Sequence, residues 1–260
     1  MDLRFQATDG TGEVSGRLLR RPDARCLLVL AHGAGAGMRH PFMDGLAEEL
    51  AGRGIATLRY NFPYAEAGRR RPDHSNVLVK TVQSAIAEAS RLVPDLPILA
   101  GGKSMGGRMT STAASREALP GVKGLVFFGF PLHPPAKPGR ERAEHLSGVA
   151  VPMLFLQGSR DTFAKPDLLH PLLDDLGDRA TLQLVDGADH GFHVLKRSGR
   201  THEEVLAELA QSTVDWAAAI RVGPGGAGVR RPDRAEAEAP TSTRGSVRPS
   251  SPGTAHDPRS

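Results

Sequence analysis

The sequence predicts one doubly wound α/β domain, a mostly parallel sheet with helices on both faces, and three observations predict it. Apolar runs of strand length recur at Cys26 to Ala31, Ile55 to Tyr60, Ile98 to Ala100, Gly124 to Phe128, Met153 to Leu156 and Thr181 to Val185. Between several of them, apolar residues return at helical spacing. The chain has 260 residues and 39% hydrophobic content, enough for one core of ordinary size. Strands that alternate with helices pair in parallel through right-handed crossovers, so the sheet is covered on both sides.

Residues 2–20 alternate as antiparallel edge strands do. Phe42, Leu46 and Leu50 form an apolar stripe ending at the breaker Gly52. Val79, Val82, Ile86 and Val93 mark a second helix starting near Ser75, and Leu206, Leu209, Trp216 and Ile220 mark the last. The folded domain is assigned to residues 1–222. Residues 223–260 contain no aromatic residue and no Leu, Ile or Met, so they are expected to form a disordered Arg-, Pro-, Gly- and Ser-rich tail.

Half of the formal net charge of +4 sits in that tail, where six Arg face four acidic residues. The remainder is too weak for a basic stripe, and no nucleic-acid partner is expected. Cys26 is the sole cysteine, so no internal disulfide forms and a reducing compartment is natural. The N-terminal MDLRFQATDG lacks an apolar signal core, and runs such as CLLVLA are too short to span a bilayer. The expectation is a cytoplasmic protein without a membrane partner.

ILAGGKSMGGRM, residues 98–109, places one serine at a strand-to-helix corner. Gly102-Lys103-Ser104-Met105-Gly106 reads G-x-S-x-G, and glycines on either side let neighbouring backbone approach a strained turn. The helix N-terminus beyond it offers free N–H groups and partial positive charge, which favour an oxyanion beside Ser104. A phosphate-binding loop needs glycine five positions before Gly102, where Pro97 stands. A dinucleotide turn at residues 32–38 fails at Met38, and a tight turn without chemistry stays open.

An acid and a base follow in suitable places. Asp161 lies one turn beyond the run VPMLFL, at the sheet edge where open α/β sheets bind ligands. His190 lies in DGADHGF beyond TLQLV, with His193 as the fallback base. A turn aspartate and a surface loop histidine are the plainer readings of the two. His202 opens the last helix, while His40, His74, His145, His170 and His256 show no partner pattern. No HExxH, CxxC or carboxylate cluster occurs, so neither a metal nor a cofactor is expected. The oxyanion donors are assigned to the backbone N–H groups of Met105 and Ala34, with Gly35 the nearest competitor to Ala34. A Gly/Ala loop around a buried structural His32 is the alternative.

The stretches LAHGAGAGM, RYNFPYAEAGRRRPD, GGKSMGGRM, GFPLHPPAKPGR, FLQGSRDTF and GADHGF run from residue 30 to residue 192. Through them the chain resembles the small, lidless α/β-hydrolases near dienelactone hydrolase. The group carrying these motifs also resembles the hydrolase-like domain of a subunit of a eukaryotic histone-acetylation (NSL) complex. The resemblance implies an α/β-hydrolase fold and a Ser104, Asp161, His190 triad. Dienelactone hydrolases proper have cysteine as nucleophile; Ser104 here argues against dienelactone as substrate.

Tyr60 to Tyr64 and Pro131 to Lys137 are expected to rim the triad's edge. Lys103, Arg108 and Arg69 to Arg71 suit either an acidic substrate or a solvated basic rim. Two functions follow: a serine hydrolase acting on a small-molecule acyl substrate such as an ester, or a non-catalytic hydrolase-like interaction module.

Overall fold

The computed structural model describes residues 1–134 and 137–222. The tail expected from residue 223 lies outside the described residues. Eight strands form one sheet: β1 (Asp2–Thr8), β2 (Gly12–Leu19), β3 (Cys26–Ala31), β4 (Ile55–Tyr60), β5 (Ile98–Lys103), β6 (Val122–Phe128), β7 (Met153–Gly158) and β8 (Ala180–Val185). Their spatial order is β1-β2-β4-β3-β5-β6-β7-β8. β1 and β2 are antiparallel to each other, and β2 is antiparallel to β4; every later pairing is parallel. The expected architecture, edge hairpin included, is the one observed.

The sheet divides the core in two because strand side chains alternate. In β3, Leu27, Val29 and Ala31 face the larger core, while Cys26, Leu28 and Leu30 face the smaller one. Both faces are buried, so the strand is apolar at every position. Helices α1 (Pro41–Ala51) and α6 (His202–Ala219) close the smaller core, while α3 (Ser75–Leu92), α4 (Met105–Arg116) and α5 (Pro166–Leu176) close the larger. Each fully buried Leu or Phe contributes about 1.5–3 kcal/mol.

Several departures from the sequence reading have local causes. β5 continues three residues past Ala100, because Gly101 and Gly102 pair with β6 where a larger residue does not fit. A Cβ on Gly101 would lie 1.9 Å from the Val126 carbonyl oxygen. Helix α5, which the sequence reading omits, carries Pro171 inside it, yet Leu169, Leu172 and Leu176 give it a buried stripe. The four-residue α2 (Pro63–Glu66) interrupts the loop expected after Tyr60. Helix α6 begins at His202, but Thr201 and Glu204 make the capping box. His40 and His74 have roles the sequence hid: their rings cap α1 and α3 by accepting from Phe42 N and Asn76 N.

Candidate active site

Ser104 occupies the corner between β5 and α4 with φ 50° and ψ −113°, a conformation that L residues rarely adopt. Two neighbours force it. A Cβ on Gly102 would stand 2.4 Å from the Ala31 oxygen, and one on Gly106 would stand 2.4 Å from the same atom. The end of β3 is thus pressed against both flanks of the turn, and Ser104 projects from the C-terminal edge of the sheet. Its N–H donates to Phe128 O at 3.2 Å, tying the corner to β6.

The structure brings Ser104, His190 and Asp161 into one line. His190 Nε2 lies 2.8 Å from Ser104 Oγ, and its Nδ1 lies 2.7 Å from Asp161 Oδ2. The Asp161 side chain has no solvent exposure and has further donors: Gln157 Nε2 on Oδ2 and, at 2.7 Å, Phe163 N on Oδ1. An acceptor-only carboxylate on Nδ1 fixes that nitrogen as the protonated one, which leaves Nε2 to accept from the serine hydroxyl. Phe163 stacks on the imidazole, with ring centroids 4.3 Å apart. Asp189 accepts from Gly191 N and His193 N and so shapes the loop that carries His190.

His193 does not take the base's place. Its ring is mostly exposed, pairs with Asp189 at 3.4 Å and stacks against His202. Gln157 is a contact of Asp161 that sequence reasoning missed: it accepts from Phe130 N through Oε1 while donating to Asp161. One signal was present, a polar residue ending an otherwise apolar run that the strand buries completely.

Met105 is the first residue of α4, so its N–H has no intrahelical partner. The His32 ring is buried, with Nδ1 bonded to Gly33 O at 2.8 Å and Nε2 accepting from Phe62 N at 3.1 Å. Burial pushes its pKa down to about 4, so the ring is a neutral strut under the 33–36 loop. The Tyr64 hydroxyl lies under this loop, 3.5 Å from the Gly33 oxygen. The Ala34 N–H has no protein partner among the described residues. Of the two candidates for the second oxyanion donor, Ala34 borders the cleft over Ser104 and Gly35 does not.

A cleft of about 690 Å³ opens over Ser104 and His190, walled largely by Ala34, Pro41, Phe42, Met43 and Phe163. The cationic residues weighed for an acidic substrate lie mostly elsewhere. Arg69 pairs with Asp73, and Arg69, Arg70 and Arg71 line a separate groove. Arg108 is half-buried beside Arg142 and lies outside the cleft wall. Lys103 borders the cleft, but its ammonium turns to the His190 carbonyl oxygen.

This fold and site define a class, and the comparisons agree. Residues 24–218 match the model of the family described as alpha/beta hydrolase domain, and the chain belongs to that family. Similar solved structures include an alpha-beta serine hydrolase homologue from Coxiella burnetii (19% identity, 83% of this chain and 96% of that one, TM-score 0.65). Another is a dienelactone hydrolase from Anabaena variabilis (20%, 84% and 97%, TM-score 0.65). A third, from Xanthomonas campestris, is described as a serine hydrolase without a lid (20%, 82% and 94%, TM-score 0.63). At these identities the likeness shows the fold. A Mycobacterium tuberculosis protein named as a phosphoribosyl transferase is 27% identical over 237 residues, 87% of this chain and 48% of that protein. The chain thus spans about half the length of the curated relatives it matches. No helix among the described residues is long and apolar enough to cross a membrane.

Proposed function

We propose that this protein is a serine hydrolase acting on a small ester or related acyl compound. The observation that carries the reading is the line of hydrogen bonds from Asp161 through His190 to Ser104, set on a strained strand-to-helix corner. In the scheme, Ser104 Oγ attacks the acyl carbon while His190 Nε2 takes its proton. The tetrahedral oxyanion is held by the N–H groups of Met105 and Ala34. His190 returns the proton to the leaving oxygen as the C–O bond breaks, and an acyl-enzyme remains. A water molecule then attacks that acyl carbon, again giving its proton to His190, and Ser104 Oγ leaves with the proton restored. Asp161 accepts from Nδ1 throughout, holding the imidazole in one tautomer and stabilising its charged form.

The apolar cleft wall supports an acyl substrate with a hydrophobic portion. The test is twofold: labelling with a fluorophosphonate probe, mapped to a residue by mass spectrometry, and hydrolysis of p-nitrophenyl esters of increasing acyl length. An adduct on Ser104 with turnover of short esters is expected. An unlabelled protein without turnover leaves the other reading, an interaction module like the histone-acetylation-complex subunit that the motifs resemble.

A further inference from the structure

The residue just before Ser104 carries a positive charge that the proposed scheme leaves unused. Lys103 ends β5 and sends its side chain along the sheet face covered by α1. Its Nζ lies 5.8 Å from the Phe42 ring centroid and 5.2 Å from that of Phe192. It donates to the His190 backbone oxygen at 2.5 Å, the one donor to that carbonyl among the described residues. No carboxylate among the described residues comes within ion-pair distance of it. Room for the ammonium is kept by Gly129, whose φ is 72° and on which a Cβ would lie 3.1 Å from Nζ.

The arrangement joins two otherwise separate pieces of the site. Ser104 is fixed by β5 and α4. His190 stands in an irregular loop after β8, held by Asp189 and by Phe192, which stacks on Phe42 with centroids 5.7 Å apart. A charged donor on a backbone carbonyl is among the stronger hydrogen bonds, and a neighbouring pair of stacked rings helps hold a cation where carboxylates do not reach. The lysine and the serine are adjacent in sequence, so the bond sets the height of the His190 loop relative to the nucleophile.

We propose that Lys103 is a positioning residue for His190, its ammonium fastening the loop that carries the imidazole to the strand that carries Ser104. The proposal rests on the hydrolase reading of the cleft, and it adds a pH dependence. Burial pushes Lys103 down to about 8, opposed by the through-space pull of Asp161 from the β7 loop and Asp189 from the β8 loop. The other ionisable groups bordering the same cleft are His40 before α1, His190 and His193 in the β8 loop, and His202 at the start of α6. As pH rises through the lysine's pKa the charge disappears, its hold on the carbonyl and the two rings weakens, and turnover falls.

The test compares wild type, K103M and K103R by p-nitrophenyl acetate hydrolysis and fluorophosphonate labelling rate from pH 6.5 to 10, with near-UV circular dichroism as a check of the fold. Wild type is expected to lose kcat above about pH 8. K103M is expected to have kcat lowered roughly 10- to 100-fold with KM within a few-fold, and no alkaline limb. K103R cannot deprotonate in this range, so it keeps a larger share of kcat and loses the limb. If K103M fails to fold, the K103R profile decides. An alkaline limb that persists unchanged in the folded variants, or a wild-type profile flat to pH 10, overturns the role of Lys103. A wild type that takes no label at Ser104 overturns the hydrolase reading instead.

Discussion

Gly106 sits against the carbonyl of Ala31 so closely that a Cβ on it would lie 2.4 Å from the oxygen, and 2.7 Å from the carbonyl oxygen of His32. Backbone oxygens at the end of a central strand have no room to move, so the contact cannot be relieved by a rotamer change. Gly106→Ala is expected to destabilise the protein by about 3 kcal/mol or more, at the upper end of overpacking costs. Gly102→Ala meets the same oxygen at the same distance and is expected to cost a similar amount. By contrast, Gly10→Ala has open space around it and is expected to change stability by no more than about 0.5 kcal/mol. Urea unfolding of the three variants tests the ranking, and equal midpoints would refute it.

The line from Asp161 to Ser104 predicts unequal losses. Ser104→Ala and His190→Ala each remove a member of the reacting pair, and each is expected to lower ester turnover by about 10⁴- to 10⁶-fold. Asp161→Asn keeps the bond from Phe163 N but sets an amide against Nδ1, favouring the wrong imidazole tautomer. A smaller loss of roughly 10⁴-fold is expected. His193→Ala is expected to stay within a few-fold of wild type, since its ring faces Asp189 and His202. Turnover lost in His193→Ala but kept in His190→Ala, with both folded, would reverse the assignment of the base.

Gln157 predicts a coupled loss of stability and rate. Gln157→Leu leaves the buried Phe130 N–H without its acceptor and removes one of the donors on Asp161. An unsatisfied buried donor costs about 1–3 kcal/mol, which lowers the melting temperature by several degrees in a domain of this size. The freed carboxylate is expected to let His190 drift, with kcat falling by roughly 10- to 100-fold and KM little changed. Calorimetry and steady-state kinetics on the same preparation check both halves. A loss in stability alone would make Gln157 a core residue with no hold on the acid.

What the sequence revealed of this site was its punctuation. Ser104, Asp161 and His190 each follow an apolar run, and a parallel sheet carries all such ends to one edge, so their meeting was legible without coordinates. The runs themselves were legible because both faces of β3, β6 and β7 are buried. Contacts of strand ends and loops with one another left no periodic trace. Gln157 bonding to Asp161, Phe163 stacking on His190 and Lys103 reaching the His190 carbonyl depend on side-chain directions that spacing does not encode. Helix α5 has no counterpart in the sequence reading; it carries Pro171 inside it, and Leu169, Leu172 and Leu176 form its buried stripe. The cap roles of His40 and His74 were hidden because histidine is not among the usual N-cap residues.

The buried His32 sets a pH dependence of stability on the acid side. Its folded pKa is pushed down to about 4 by burial, below the ordinary histidine value of about 6.5. Between those two values the unfolded chain binds a proton that the folded protein does not, so stability rises with pH across this window. Its contribution is complete above pH of about 6.5 and is lost as pH falls towards 4; for His32 alone the loss is on the order of 3 kcal/mol. His145 is displaced in the same direction by burial, then by Arg108 and Arg116, and adds to the slope with the same sign. His32→Gln replaces the ring with a group that does not titrate and still offers an acceptor towards Phe62 N. The variant is expected to be less stable at pH 7, because the ring's packing is lost, and to show a shallower decline between pH 6.5 and 4. Denaturant unfolding at half-unit pH steps measures both slopes. Parallel curves for wild type and His32→Gln would mean that the His32 ring takes up its proton in the folded protein as readily as in the unfolded chain.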